Sequence, residues 1–404
     1  MSDTIVHPID VAWISTGATG AQNYDEFASE TEVEAAIARH PHSVLALEMP
    51  HCTPEAVAAG TPFADALPSA AAQLRRLQAE GEFTRTDDVV APYRITSETG
   101  TTYGVLVMVE TGHISSAAGE PGQVIRNEDV SPDTVAERVA LIKSLKHLLS
   151  PVLLIQAGAA ADLEDLLAEL ASSLGEPVVR DTDQHGQEHD LWLLPAGEQR
   201  DELLALVSAG ELIVADGNHR TLAAQQAGLP RFLAVVTTPG SAHIRPYNRL
   251  VTRLGLPADE FLERLRAAGA EVAAWEGEVT VPVLPGTVAL YLEHGQAYAV
   301  TLPVPSDGNV VDRLDHSVVE RVIIGDILGL RPHDQAIRYV GGDYPAEWLT
   351  AEVDAGRAEA AILISPVSVD DFLAVNLERL KMPRKSTWFT PKARAGLVLA
   401  ELTG

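Results

Sequence analysis

The chain has 404 residues, is 46% hydrophobic and 21% charged, and carries a formal net charge of −28. That composition supports a large core in two or three domains and excludes a disordered chain. The negative field opposes nucleic acid and anionic lipid as partners. No apolar run is long enough to cross a bilayer. The opening MSDTIVHPID lacks the basic stretch and apolar core of a signal peptide, and Cys52 is the only cysteine, so no internal disulfide forms. The expectation is a cytoplasmic protein with no membrane partner, no nucleic-acid partner and room for a homodimer.

In chain order, residues 31–39 predict a helix and 43–48 a strand. Residues 63–80 predict a helix ended by Gly81, and 93–95 with 103–109 a hairpin around SETGT. Residues 111–123 are Gly/Ser-rich and read as a loop. Ser131-Pro132-Asp133 is a helix start, with a hydroxyl at the N-cap and proline at the first helical position. That helix is expected to reach about Leu149, with Val135, Val139, Ile142, Leu145 and Leu149 on one face. A buried strand follows at 151–155, an acidic amphipathic helix at 162–174 and a hairpin at 178–194. The hairpin tip, RDTDQHGQEHD, reads as a solvated turn at Gly186, with metal ligation by His185 and His189 as the alternative. Residues 212–215 predict a strand that breaks at Asp216-Gly217 into an Ala-rich helix closed by Gly228 and Pro230, and 232–237 predict another strand. Beyond Leu250 come a helix at 257–268, strands within 279–302, a helix at 315–328, a strand at 360–364, and a closing loop with a short helix from about Lys392. Helices and strands mix throughout, so the fold class is α/β with mixed sheets. The expected domains are 1–250 and 251–404.

The usual catalytic signatures are missing: there is no phosphate-binding GxxxxGK[ST], no GxSxG, no HExxH and no paired CxxC. Two stretches carry chemistry instead. In Asp216-Gly217-Asn218-His219-Arg220, a helix starts within two residues of a strand end. Its unpaired N–H groups and dipole favour phosphate. Gly217 lets a ligand approach the backbone, Arg220 can grip phosphate oxygens, His219 can neutralise charge or pass a proton, and Asp216 can hold a metal ion or a substrate ammonium. The plainer alternative is a capped helix with surface side chains. The second stretch, KMPRKSTWFTPKAR over 381–394, holds three of the chain's five lysines, two arginines and no acid. Such a segment suits a di- or triphosphate tail, or else it offsets acidic neighbours.

Together these stretches resemble a large, mostly bacterial family, domain of unknown function number 1015. The likeness also runs through Asn23-Tyr24-Asp25, Asn127-Glu128 ten residues before Arg138, Ser150-Pro151-Val152, Tyr247-Asn248-Arg249 and the block 383–392. Asn127, Asn218 and Asn248 stand where the family has histidine, which implies a changed substrate or lost activity. The Asp-Gly-x-His-Arg turn also resembles that of free-serine kinases with a ParB/sulfiredoxin-like fold. This implies a ParB/sulfiredoxin-like core with large insertions and a second C-terminal subdomain, and phosphoryl transfer from ATP or ADP, with Mg²⁺, to a small hydroxylated molecule such as serine. The implied roles are Glu128 as base, with His219 and Asp216 completing the catalytic set and Asp216 also as the metal ligand. Gly217, Asn218, Arg220, Lys385, Ser386, Thr387 and Lys392 are expected on the nucleotide, and Arg138, Asn248 and Arg249 on the substrate. A non-catalytic nucleotide sensor or partner subunit is the alternative.

Overall fold

The computed structural model describes residues 4–98, 100–115, 120, 122–331 and 334–403. Parts of the expected SETGT turn and of the loop over 111–123 lie outside these. The fold is mixed α/β. The chain divides into two compact units: the first is Met1–His243 with Pro391–Gly404, and the second is Ile244–Thr390. Residues 391–404, grouped by sequence with the C-terminal region, thus belong to the first unit.

The first unit is built on a mixed sheet that runs, over the described residues, Val179–Thr182, Glu188–Leu191, Ala91–Ser97, Gly100–Glu110, Arg231–Thr237, Val152–Gln156, Leu212–Asp216, Val124–Arg126 and Ile114–Ser115. The central strands are rich in β-branched residues and buried on both faces. Val105, Leu154, Val214 and Val236 have essentially no exposed surface, and each such side chain contributes about 1.5–3 kcal/mol by leaving water. Leu212–Asp216 lies parallel to Val124–Arg126, with Val214 opposite Arg126. It lies antiparallel to Val152–Gln156, with the register shifting between Val214 and Asp216. The loop after Arg126, the loop before Val152 and the turn after Asp216 therefore sit at one end of the sheet. A second, smaller sheet orders Phe83–Val89, Ile9–Ser15, Val398–Glu401 and His147–Leu148.

The second unit has a six-stranded sheet over the described residues, ordered Glu271–Ala274, Gln296–Thr301, Thr287–Leu292, Ala360–Ile364, Tyr247–Val251 and Ile337–Gly341. Every pairing in it is antiparallel. The helix expected at 315–328 forms as an α-turn, Asp315–Val318, that passes into a π-helix, Val319–Ile327.

Three local expectations fail. Residues 43–48 contain the helix Leu45–Glu48 rather than a strand, and all four of its residues are buried. A short apolar run buried all round has no period with which to declare itself. The helix after Ser131 stops at Leu145, because Lys146 takes a left-handed conformation (φ 56°). The Ser131 hydroxyl makes no cap hydrogen bond there. The helix expected from Lys392 is absent. Gly396 turns the chain (φ 79°), and Val398–Glu401 enters the sheet opposite Ile14, Trp13 and Ala12. Tertiary pairing overrides the helical preference of the Ala/Arg/Leu run.

Candidate functional site

Leu212–Asp216 ends at Gly217, which precedes the helix Asn218–Gln226 in a left-handed conformation (φ 98°). Glycine is required there twice over. The conformation is unfavourable for other residues, and a Cβ would stand 3.0 Å from Arg220 Nε. The space it leaves is filled by the Arg220 guanidinium, which folds back over the turn. Arg220 Nη2 donates to Asp216 Oδ2 at 2.7 Å, and Nη1 donates to Pro151 O at 2.7 Å and to Asn23 Oδ1 at 3.4 Å. Burial works against the charge of Arg220, but Asp216, Asp25, Tyr24 and Glu48 outweigh it and raise the pKa. Arg220 is a fixed cation.

Lys392 arrives from the returning C-terminal segment, with Nζ 3.6 Å from Asp216 Oδ1 and 4.0 Å from Asp25 Oδ1. Arg138 points inward from the helix Pro132–Leu145 and is 4% exposed. Its Nη1 donates to Glu48 O at 3.2 Å, and its guanidinium lies 4.3 Å over the Tyr24 ring, a cation–π contact. The turn Tyr24–Glu26, the helix Leu45–Glu48, Ser150 and Pro151 complete the cluster, with Ser150 Oγ donating to Glu48 Oε1 at 2.6 Å.

The acids in this cluster are unequal. Burial pushes the Glu26 carboxyl up to about 7, against the lowering influence of Lys392. Burial also raises Glu48, against Arg138 and Ser150. Burial takes the Tyr24 hydroxyl up to about 12, so it stays protonated. Arg138, Arg220 and Lys392 thus share this cluster with Asp25, Glu26, Glu48 and Asp216, three cations brought together in a chain that has 29 basic residues to 57 acidic ones.

Asn218 and Asn127, both buried, meet where the two parallel strands end, and Asn218 Nδ2 donates to Asn127 Oδ1 at 2.5 Å. His219 Nε2 accepts from the Ser131 N–H at 3.2 Å. The neutral ring therefore carries its proton on Nδ1, and His219 ties the turn to the start of the neighbouring helix. Glu128 is half-buried beside Asn127, at the same end of the sheet.

The structure thus gathers Asp216, Gly217, Asn218, Arg220, Arg138 and Lys392 in the first unit, with His219 and Glu128 on the adjoining segments. Asn248, Arg249, Lys385, Ser386 and Thr387 belong to the second unit. There, Asn248 Oδ1 accepts from Ile364 N–H at 3.0 Å. Arg249 is fully buried, paired with Glu320 at 2.7 Å and stacked 4.4 Å over Tyr339. Lys385 has a positive φ (51°), with Nζ 5.5 Å from the Tyr247 ring, and Ser386 Oγ donates to Pro383 O at 2.6 Å.

Sequence reasoning missed Glu26, Glu48 and Ser150. A trace was present, since Glu48 is a lone carboxylate in the apolar run Leu45-Ala46-Leu47-Glu48-Met49. The hairpin tip at 180–190 is held by ion pairs: Asp190 binds Arg94 at 2.6 Å and Arg180 at 2.9 Å. Among the described residues no group of three His, Cys, Asp or Glu side chains could hold a metal ion. Burial, with Glu30 and Glu34 adding to it, pushes the Cys52 thiol up to about 11, which disfavours the nucleophilic thiolate. No described helix is long and apolar enough to cross a membrane.

A comparison with curated proteins finds no match. Three solved structures are similar over 72% of this chain. A conserved hypothetical protein from Pyrococcus furiosus aligns over 95% of its own length, at 13% identity and a TM-score of 0.36. A free serine kinase in complex with AMP aligns over 92%, at 13% identity and a TM-score of 0.37. SbnI with a C-terminal truncation, from Staphylococcus aureus, aligns over 87%, at 12% identity and a TM-score of 0.38. The family model described as a protein of unknown function (DUF1015) matches residues 17–317, and the chain belongs to that family.

Proposed function

We propose that the protein is a small-molecule kinase, moving a phosphoryl group from ATP or ADP to the hydroxyl of a small metabolite such as free serine. One observation carries this reading: three cationic side chains, Arg138, Arg220 and Lys392, are gathered around a glycine-started helix N-terminus in a chain with a strong excess of acids. Phosphoryl transfer needs positioned cations around the moving group and a base at the acceptor oxygen. Backbone N–H groups at Gly217 and Asn218, with Arg220 and Lys392, hold the phosphate. Asp216 keeps those two cations in place. Glu128 takes the proton from the acceptor hydroxyl as its oxygen bonds to the terminal phosphorus. The bond from that phosphorus to the bridging oxygen breaks, and the shortened nucleotide leaves with the electron pair. His219 positions the turn through Ser131.

The residues present do not fit a Mg²⁺ ion held by the protein. Asp216, its expected ligand, faces Arg220 with one oxygen and Lys392 with the other.

The test is release of ADP or AMP in the presence of hydroxylated amino acids and polyols. Glu128→Gln is expected to lower turnover by roughly 10²–10⁴-fold, the usual contribution of a general base. Nucleotide binding without product from any acceptor, unchanged by Glu128→Gln, would overturn the kinase reading. It would favour a non-catalytic nucleotide sensor, which the buried Asn127–Asn218 pair supports by placing two non-titrating amides at the site.

A further inference from the structure

The helix Asn218–Gln226 begins at the Asp216–Gly217 turn, and at its other end Ala227 and Gly228 border a cavity of about 460 Å³ in the first unit. That volume falls within the roughly 300–1,000 Å³ of small-molecule sites. Ile9, Met108, Ile142 and Leu402 give the cavity an apolar lining. They come from the strands Ile9–Ser15 and Gly100–Glu110, the helix Pro132–Leu145 and the residue after Val398–Glu401.

Five charged side chains stand on its wall: Asp10, Lys143, Lys146, Arg231 and Glu401. Three are engaged. Arg231 lies 3.6 Å from Asp10, and Glu401 accepts the Trp13 Nε1–H at 2.8 Å. Lys143 and Lys146 are exposed and, among the described residues, pair with no carboxylate. Lys146 is the C-cap of the helix Pro132–Leu145 and takes a left-handed conformation (φ 56°, ψ 26°). Helices commonly place glycine in that conformation at their C-terminal end. A residue with a side chain is strained there, by on the order of 1 kcal/mol, and such residues cluster at ligand clamps. A chain with only five lysines thus spends one of them where glycine fits better, on the rim of an apolar cavity. Two cations over an apolar lining are the complement of a molecule with an anionic head and an apolar body. Two helices, Pro132–Leu145 and Asn218–Gln226, end at this cavity. The negative ends of their dipoles favour a singly charged head over a doubly charged phosphate.

We propose that this cavity binds a small organic carboxylate, with the carboxylate on Lys143 and Lys146 and the apolar body on Ile9, Met108, Ile142 and Leu402. It lies at the opposite end of the helix Asn218–Gln226 from the phosphate turn and does not depend on the kinase reading.

The test is a titration of the intact protein, without nucleotide, by octanoate, hexanoate, acetate, octylamine and octyl phosphate. Binding is read by calorimetry and by the ¹³Cε resonances of the five lysines. Octanoate is expected to bind saturably and to move the Lys143 and Lys146 resonances. Hexanoate should bind roughly 4- to 15-fold more weakly, since each buried methylene is worth up to about fourfold. Octyl phosphate should bind more weakly than octanoate, and acetate and octylamine should not saturate. Lys146→Gly relieves the left-handed strain, so its urea midpoint should hold or rise while octanoate affinity falls roughly two- to fivefold, the scale of an exposed ion pair. Adding Lys143→Met should bring the loss to about tenfold. Absence of saturable octanoate binding, octylamine or octyl phosphate binding as tightly as octanoate, or wild-type affinity in the double variant overturns the proposal. So does movement of the Lys381, Lys385 or Lys392 resonances in place of those of Lys143 and Lys146.

Discussion

Arg220 and Arg249 invite comparison, since each lies within two residues after a buried asparagine in its own unit, Arg220 partly buried and Arg249 fully so. Arg249 has no exposed surface, and its donors go to Glu320, Tyr247 O, Asn248 O and Arg384 O. The second unit uses this guanidinium as a clamp. Arg220 shares its carboxylate, Asp216, with Lys392, and Glu26 and Glu48 close by are driven toward protonation. The first unit therefore gathers several cations whose acidic neighbours are in part driven toward their neutral forms. The difference teaches that an arginine is not a site by itself; the company of other cations, not consumed by one clamp, is what lets it attract an anion.

The sharpest way to break this comparison is to remove both guanidiniums in turn. Arg249→Met is expected to lower stability by about 3–5 kcal/mol, because Glu320 and several carbonyls lose a buried partner. Arg220→Met is expected to cost less, since Asp216 keeps Lys392. Urea midpoints for the two variants check the order, and a larger loss for Arg220→Met would reverse the argument.

Next in size is the titration of Glu26. Its folded pKa of about 7 lies above the ordinary 4.5, so the folded chain binds that proton more tightly than the unfolded chain. The stabilisation is complete below about pH 4.5 and is lost as pH rises through about 7. At about 1.4 kcal/mol per pKa unit the change is about 3 kcal/mol. Glu26→Gln should remove that slope, so the stability difference between wild type and variant should change steadily over this window. A constant difference would show that Glu26 titrates normally.

Binding gives the smaller effects. Arg220→Met should weaken nucleotide affinity roughly 10- to 100-fold, the scale of a charge-assisted hydrogen bond of about 1.5–3 kcal/mol. Calorimetry with ADP checks this, and an unchanged affinity would remove Arg220 from the phosphate.

The strand–glycine–helix turn at 212–226 was legible in sequence because each signal is local: β-branched residues, then a glycine free to take a positive φ, then an alanine-rich run. The hairpins at 93–109 and 178–194 and the strand at 360–364 were legible for the same reason. Glu48 was not. It lies in a four-residue helix buried on every side, where periodicity carries no information, and only its neighbours Arg138 and Ser150 give it a role.

The sequence alone determined the mixed α/β class, the family and the turn that starts the candidate site, since these depend on residues within a few positions of one another. Only the tertiary structure decided that Asp25, Glu48, Arg138, Asp216 and Lys392 share one cluster, and that residues 398–401 form a strand rather than part of a helix. Sheet pairing and burial join residues hundreds of positions apart, and desolvation, which raises the pKa of Glu26 and Glu48, exists only once that packing is complete.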